Sequence, residues 1–149
     1  MSIDIAARQQ WLATLAHSRS EDLLRFWQQL EIDPECEVIR QPEVGLTRLQ
    51  GRMGGTGDVF NFADTTVTRT VIRLADGTLG YGFIQGRDKH KAMLVAIADA
   101  LLQQTEFHLR LQTHLIQPLA ELQQLAKANT AKEMASSKVD FFTLVRGED

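Results

Sequence analysis

Thr66-Val-Thr-Arg-Thr-Val-Ile-Arg-Leu-Ala75 runs directly into Asp76-Gly77 and then Leu79-Gly-Tyr-Gly-Phe-Ile84. β-Branched side chains at this density fit a pleated, half-buried surface. Asp-Gly supplies the positive φ that a tight hairpin needs, so the two runs must pair antiparallel. Upstream, Cys36–Gln41 and Leu46–Gln50 are short and β-prone, with Pro42 and Gly45 between them as a turn signal. Connections this short leave an antiparallel sheet over residues 36–85.

Helical patterns flank that sheet. Residues 3–17 carry Ile5, Leu12 and Leu15 near helical spacing, and 19–30 place Leu23, Phe26, Trp27 and Leu30 on one stripe. Between them, Ser18-Arg-Ser-Glu21 has the form of a capping box, and Asp33-Pro34 closes the second helix. Asp88 is placed to cap a helix with Ala92, Val95, Ala96, Asp99 and Leu102 three and four apart. Pro118 limits that helix or begins the next, so helices span 88–135. The end, Val139-Asp-Phe-Phe-Thr-Leu-Val-Arg146, reads as a strand. The expected class is α+β, one domain over residues 1–149. A central antiparallel sheet is flanked by N-terminal helices (3–30) and C-terminal helices (88–135), with a β-prone tail (139–146).

Size and composition suit a soluble domain: 149 residues, 44% hydrophobic and 23% charged. No run nears the roughly 18 apolar residues of a membrane span, and the N-terminus lacks a secretory pattern. The single cysteine, Cys36, excludes an internal disulfide, and a cytoplasmic location follows. The net charge of −3 and the pI of about 5.8 argue against nucleic acid as a partner. The charge is uneven: −4 over residues 1–39, +3 over 40–91 and −2 over 92–149.

The basic third contains Gly51-Arg-Met-Gly-Gly-Thr-Gly-Asp58. A phosphate loop of the Walker type needs Gly-Lys-Ser/Thr at its end, whereas Gly57 is followed by Asp58-Val59. A dinucleotide fingerprint from Gly55 needs glycine at 60, where Phe60 stands, and a following helix where 58–62 look extended. A hairpin or bulge loop is the better reading. The four histidines form no i,i+4 pair and no Cys/His cluster, so no metal site is expected. Arg52, Arg69 and Arg87 are the candidate anion contacts, because guanidinium groups bind phosphate in bidentate fashion. Arg69 and Arg73 lie four apart on one strand face with Val67 and Val71. Pairing of these arginines with Asp58, Asp64, Asp76 or Asp88 is the competing reading, and the favoured one. In the tail, Phe141 and Phe142 would point to opposite sides of a strand. With Arg146 they are the candidate partner contacts. No catalytic residue emerges.

Several stretches, taken together, closely resemble the PhnG family, the G component of the bacterial carbon–phosphorus lyase system. They are Arg52-Met-Gly-Gly-Thr-Gly57, Thr66-Val-Thr-Arg69, Asp76-Gly-Thr-Leu-Gly80, Gly86-Arg-Asp88, Asp99-Ala-Leu101 and Ser137-Lys-Val-Asp-Phe-Phe-Thr-Leu-Val-Arg-Gly147. Arg8-Gln-Gln-Trp-Leu12 and Leu15-Ala-His-Ser18 add to the likeness, which covers essentially the whole chain. The resemblance implies a cytoplasmic accessory component of phosphonate catabolism, in a core complex with the H, I and J components. With H, I and L, the family is associated with making α-D-ribose 1-methylphosphonate 5-triphosphate from ATP and methylphosphonate, which displaces adenine. The resemblance also implies that carbon–phosphorus cleavage follows on the J component, with its iron–sulfur cluster and S-adenosylmethionine. No cofactor is implied for a PhnG-type chain alone, and a lone cysteine cannot hold a cluster. Asp64 departs from a pattern that often has glycine there with a glutamate nearby, and Lys89-His-Lys91 is an unusually basic helix opening.

Overall fold

A computed structural model describes the backbone of residues 5–52 and 59–147, and the side chains of 5–47 and 64–132. Helices α1 (Ile5–His17) and α2 (Ser20–Leu30) precede strands β1 (Cys36–Arg52), β2 (Val59–Leu74) and β3 (Leu79–Gln85). Helix α3 (Lys89–Leu102) follows. Then α4 (Thr105–Leu111), a π-helical turn (Gln112–Ile116) and α5 (Gln117–Gly147) succeed one another without a gap. The sheet order is β1-β2-β3, antiparallel throughout. The chain is thus α+β with helices before and after a central sheet, as the sequence predicts.

The Asp76-Gly77 hairpin forms as expected. Gly77 has φ 95°, its amide bonds Leu74 O at 2.9 Å, and Asp76 Oδ1 accepts from the Thr78 amide at 3.0 Å. That amide, with the Gln104 side chain, holds the Asp76 carboxyl below its ordinary pKa. The strands run longer than their β-branched centres. Two short strands expected at 36–41 and 46–50 are one 17-residue strand, and the Pro42…Gly45 turn does not form. Proline cannot donate to a ladder, and here it is absorbed on an edge strand by register shifts at Val38/Arg40 and Arg40/Glu43. Thr70 Oγ1, buried on β2, donates to Arg40 O at 2.7 Å inside this irregularity.

Helix α3 lies on one sheet face, against Ile72 and Ile84, and is buried nearly all round. Its approach is set by two glycines of β3. A Cβ at Gly80 would stand 2.0 Å from Ala96 O, and one at Gly82 would stand 2.1 Å from Ala92 O. Helices α1, α2, α4 and the π turn close over the outer side of α3 with Trp11, Leu15, Leu23, Leu30, Leu111 and Leu115.

Two local expectations change, and one is met. Ser18 does not cap α2: it is buried, and its hydroxyl turns back to Leu15 O at 2.6 Å. The N-cap is Arg19, without a side-chain bond, and Glu21 and Asp22 supply negative charge in the first turn. Pro118 takes the second of its two expected roles and begins the next helix. It sits in the first turn of α5, directly after the wide π turn, where the missing N–H costs least. The strand expected over 139–146 is replaced by helix, because α5 continues to Gly147. Extending a formed helix fixes one residue per added bond, whereas a strand needs a ladder beside it.

Candidate functional site

The polar side chains that the fold gathers most tightly surround Asp99, fully buried on α3. Arg8 Nε donates to its Oδ1 at 3.1 Å and Arg8 Nη2 to Oδ2 at 2.8 Å, a bidentate ion pair. Trp11 Nε1 donates to Oδ1 at 2.9 Å, and the Tyr81 amide to Oδ2 at 3.0 Å. Arg8 and Trp11 are three apart on α1, so both reach one point. The hydrogen bond to Asp99 raises the Arg8 pKa above its ordinary value, against a smaller opposing effect of burial. The Arg8 guanidinium also lies 5.3 Å from the centroid of the Tyr81 ring. Gln103, one turn beyond Asp99, donates to Leu79 O at 2.8 Å. Asp99 and Gln103 together therefore satisfy part of the outer edge of β3.

A second cluster surrounds the start of α3. Asp88 accepts the Lys91 amide at 3.0 Å, as its capping position predicts, and the Ser20 hydroxyl at 2.6 Å. The Ser20 hydroxyl, then the Lys91 amide, hold the Asp88 carboxyl below its ordinary pKa. Lys91 Nζ reaches Ala16 O at 3.0 Å and Ser18 O at 2.6 Å, at the C-terminal end of α1. Half-burial lowers the Lys91 pKa, partly offset by the nearby Asp88 charge. This accounts for a lysine in the basic Lys89-His-Lys91 opening: its charge serves the end of α1 rather than the start of α3.

No contact among the described residues assembles the candidate anion-binding arginines into one site. Arg69 is exposed on β2, opposite Glu43 of β1 and Phe83 of β3, and makes no ion pair among the described residues. Arg73, on the same face, pairs with Glu37, a partner the sequence reading did not name. Arg40 lies 3.9 Å from Glu43. Arg87 is exposed between Gly86 (φ 98°) and the capping Asp88, and likewise makes no ion pair among the described residues. The side chain of Arg52, the glycines at 54, 55 and 57, and the side chains of Phe141, Phe142 and Arg146 lie outside the described residues. Among the described residues no three His, Cys, Asp or Glu side chains converge as a metal-binding group. An open cleft of about 520 Å³ at the hairpin is lined by Glu35, Glu37, Asp76 and Arg73, with the exposed Cys36. Three carboxyl groups to one guanidinium disfavour an anion there.

The sequence reading missed the Asp99 cluster, although it placed Asp99 on the apolar stripe of α3. The signal was an acidic residue inside the otherwise uncharged run Ala92–Leu102. A buried carboxylate needs donors, and Arg8 and Trp11 are the matching pair.

Comparison with known proteins bears on the same stretches. The family model described as "Phosphonate metabolism protein PhnG" matches residues 6–147. A relative from Rhizobium meliloti (strain 1021) is named "Alpha-D-ribose 1-methylphosphonate 5-triphosphate synthase subunit PhnG". It is 38% identical over 145 residues, covering 97% of this chain and 92% of the relative.

Proposed function

Because the chain belongs to the PhnG family of phosphonate metabolism proteins, we propose that it is an accessory component of a carbon–phosphorus lyase core complex. In this reading it assembles in the cytoplasm with the H, I and J components. It acts with H, I and L in making α-D-ribose 1-methylphosphonate 5-triphosphate from ATP and methylphosphonate, with release of adenine. The observation that carries the reading is the near full-length likeness to a relative named as part of that synthase. The described residues are compatible with an accessory role. Their tightest polar clusters, around Asp99 and Asp88, join secondary-structure elements to one another.

The test is a reaction containing the H, I and L counterparts from the same organism, ATP and methylphosphonate, with and without this chain. Phosphorus NMR of the triphosphate product and chromatography of free adenine give the readout. Product that depends on the chain is expected; equal product in its absence would overturn the reading.

A second reading keeps the arginines as contacts to the triphosphate or phosphonate in a site shared with another component. It is favoured by the exposed guanidinium of Arg69, which has no ion pair among the described residues. Asp88 beside Arg87 weighs against that second position, because its carboxylate already occupies the start of α3. Arg69→Ala in the reconstituted reaction separates the two. A raised KM for ATP or methylphosphonate with intact assembly supports shared binding, and unchanged kinetics exclude it.

A further inference from the structure

The sheet has a second face, opposite α3. Residues directly opposite each other in an antiparallel pair share a face, so Leu79, Tyr81 and Phe83 lie with Arg73, Val71 and Arg69. These three large side chains of β3 are 38%, 44% and 51% exposed. They stand two residues apart on an edge strand, so they form a continuous apolar strip roughly 14 Å long. An uncovered strip of this kind on a sheet edge is an association surface. From α1, the Arg8 guanidinium reaches the Tyr81 ring, and Tyr81 and Phe83 remain about half exposed.

The charges on this face distinguish one occupant from another. Glu37 is engaged by Arg73, and Glu43 faces Arg40. Arg69, next to Phe83 and directly opposite Glu43, makes no ion pair among the described residues, so Arg40 and Arg69 together outnumber the one carboxylate, Glu43, at that end of the strip. A second copy of the chain would bring the same arginine and carboxylates that are already paired. The complementary surface is an apolar patch with a free carboxylate at its rim.

We propose that the open sheet face along Leu79, Tyr81 and Phe83, with Arg69 at its end, docks a neighbouring component of the synthase assembly through an apolar patch bearing a carboxylate. The proposal rests on the accessory-component reading above and adds to it the surface used. It is tested by co-expressing the tagged full chain with its own H, I and J counterparts. The photo-crosslinker p-benzoylphenylalanine replaces Phe83 in one sample, and Phe83→Lys and Arg69→Glu are made in others. Expected are an ultraviolet crosslink from position 83 to one of those counterparts, and about tenfold or greater loss of co-purified counterparts in each variant. Arg69→Glu sets a carboxylate opposite Glu43, so the crosslink from position 83, which leaves both Arg69 and Glu43 in place, decides the matter even if either substitution folds poorly. Full-yield assembly with Arg69→Glu and no crosslink from 83 overturns the docking surface, as does a crosslink to a second copy alone. A wild-type chain that co-purifies with none of the counterparts overturns the accessory-component reading itself, an outcome separate from failure of the variants alone.

Discussion

Asp88 holds two donors at once, the Lys91 amide and the Ser20 hydroxyl, and ties α2 to the start of α3. Its pKa lies below the ordinary 3.8, so the folded state favours the charged form. The resulting stabilisation is complete above that ordinary value and is lost as pH falls through the lowered folded one. Asp88→Asn keeps an oxygen for capping but cannot titrate there. Its melting temperature is expected to fall less than that of wild type between about pH 5 and pH 2. Because Asp88 is exposed, the difference amounts to at most about 1 kcal/mol. Parallel acid limbs for the two proteins would show that Asp88 makes no such contribution. Lys91 shifts stability in the same direction, but in the alkaline range. Its lowered pKa makes stability rise with pH there, which leaves the acid comparison clean.

At the scale of elements, the contact between α3 and β3 depends on two residues with no side chain. Gly80→Ala sets a Cβ against the Ala96 carbonyl, part of a helix backbone that cannot rotate aside. A loss of about 1–3 kcal/mol is expected in urea unfolding. Gly45→Ala is the control: its added Cβ meets nothing within 4 Å, and a change within about 0.5 kcal/mol is expected. Equal effects at both positions would show that close packing is not what Gly80 provides. These elements also show what the sequence discloses. The hairpin was legible because Asp76-Gly77 and the β-branched run are local signals that act without the rest of the fold. The Asp88 cap and the stripe of α3 were legible for the same reason. The continuity of β1 through Pro42 was not, because bulges depend on the partner strand rather than on the residues that bulge. The helical course of 139–146 was hidden by β propensity, which says little where no strand lies alongside. Of the candidate site, Arg69 and its companions on one face could be read from period-two alternation. The Asp99 cluster could not, since its Trp11 and Arg8 donors lie 88 and 91 residues away along the chain.

For the molecule as a whole, Asp99 is the point where the first helix, the edge strand and the central helix meet. Asp99→Ala leaves the Trp11 indole and the Tyr81 amide without their acceptor and frees Arg8 from its ion pair. The expected cost is about 3 kcal/mol. In a Trp27→Phe background, Trp11 fluorescence and far-UV circular dichroism should still report one shared transition, moved to lower urea. A fluorescence transition that separates from the dichroism would mean that α1 is an independent appendage. The same geometry sets an order of events during synthesis. The first helix leaves the ribosome early, but its buried partners on α3 emerge only after some 88 further residues. At ordinary elongation rates that is a wait on the order of ten seconds, with Trp11 and Leu15 uncovered throughout. The nascent chain therefore completes its core late and nearly all at once, and its opening segment depends on what shields it until then.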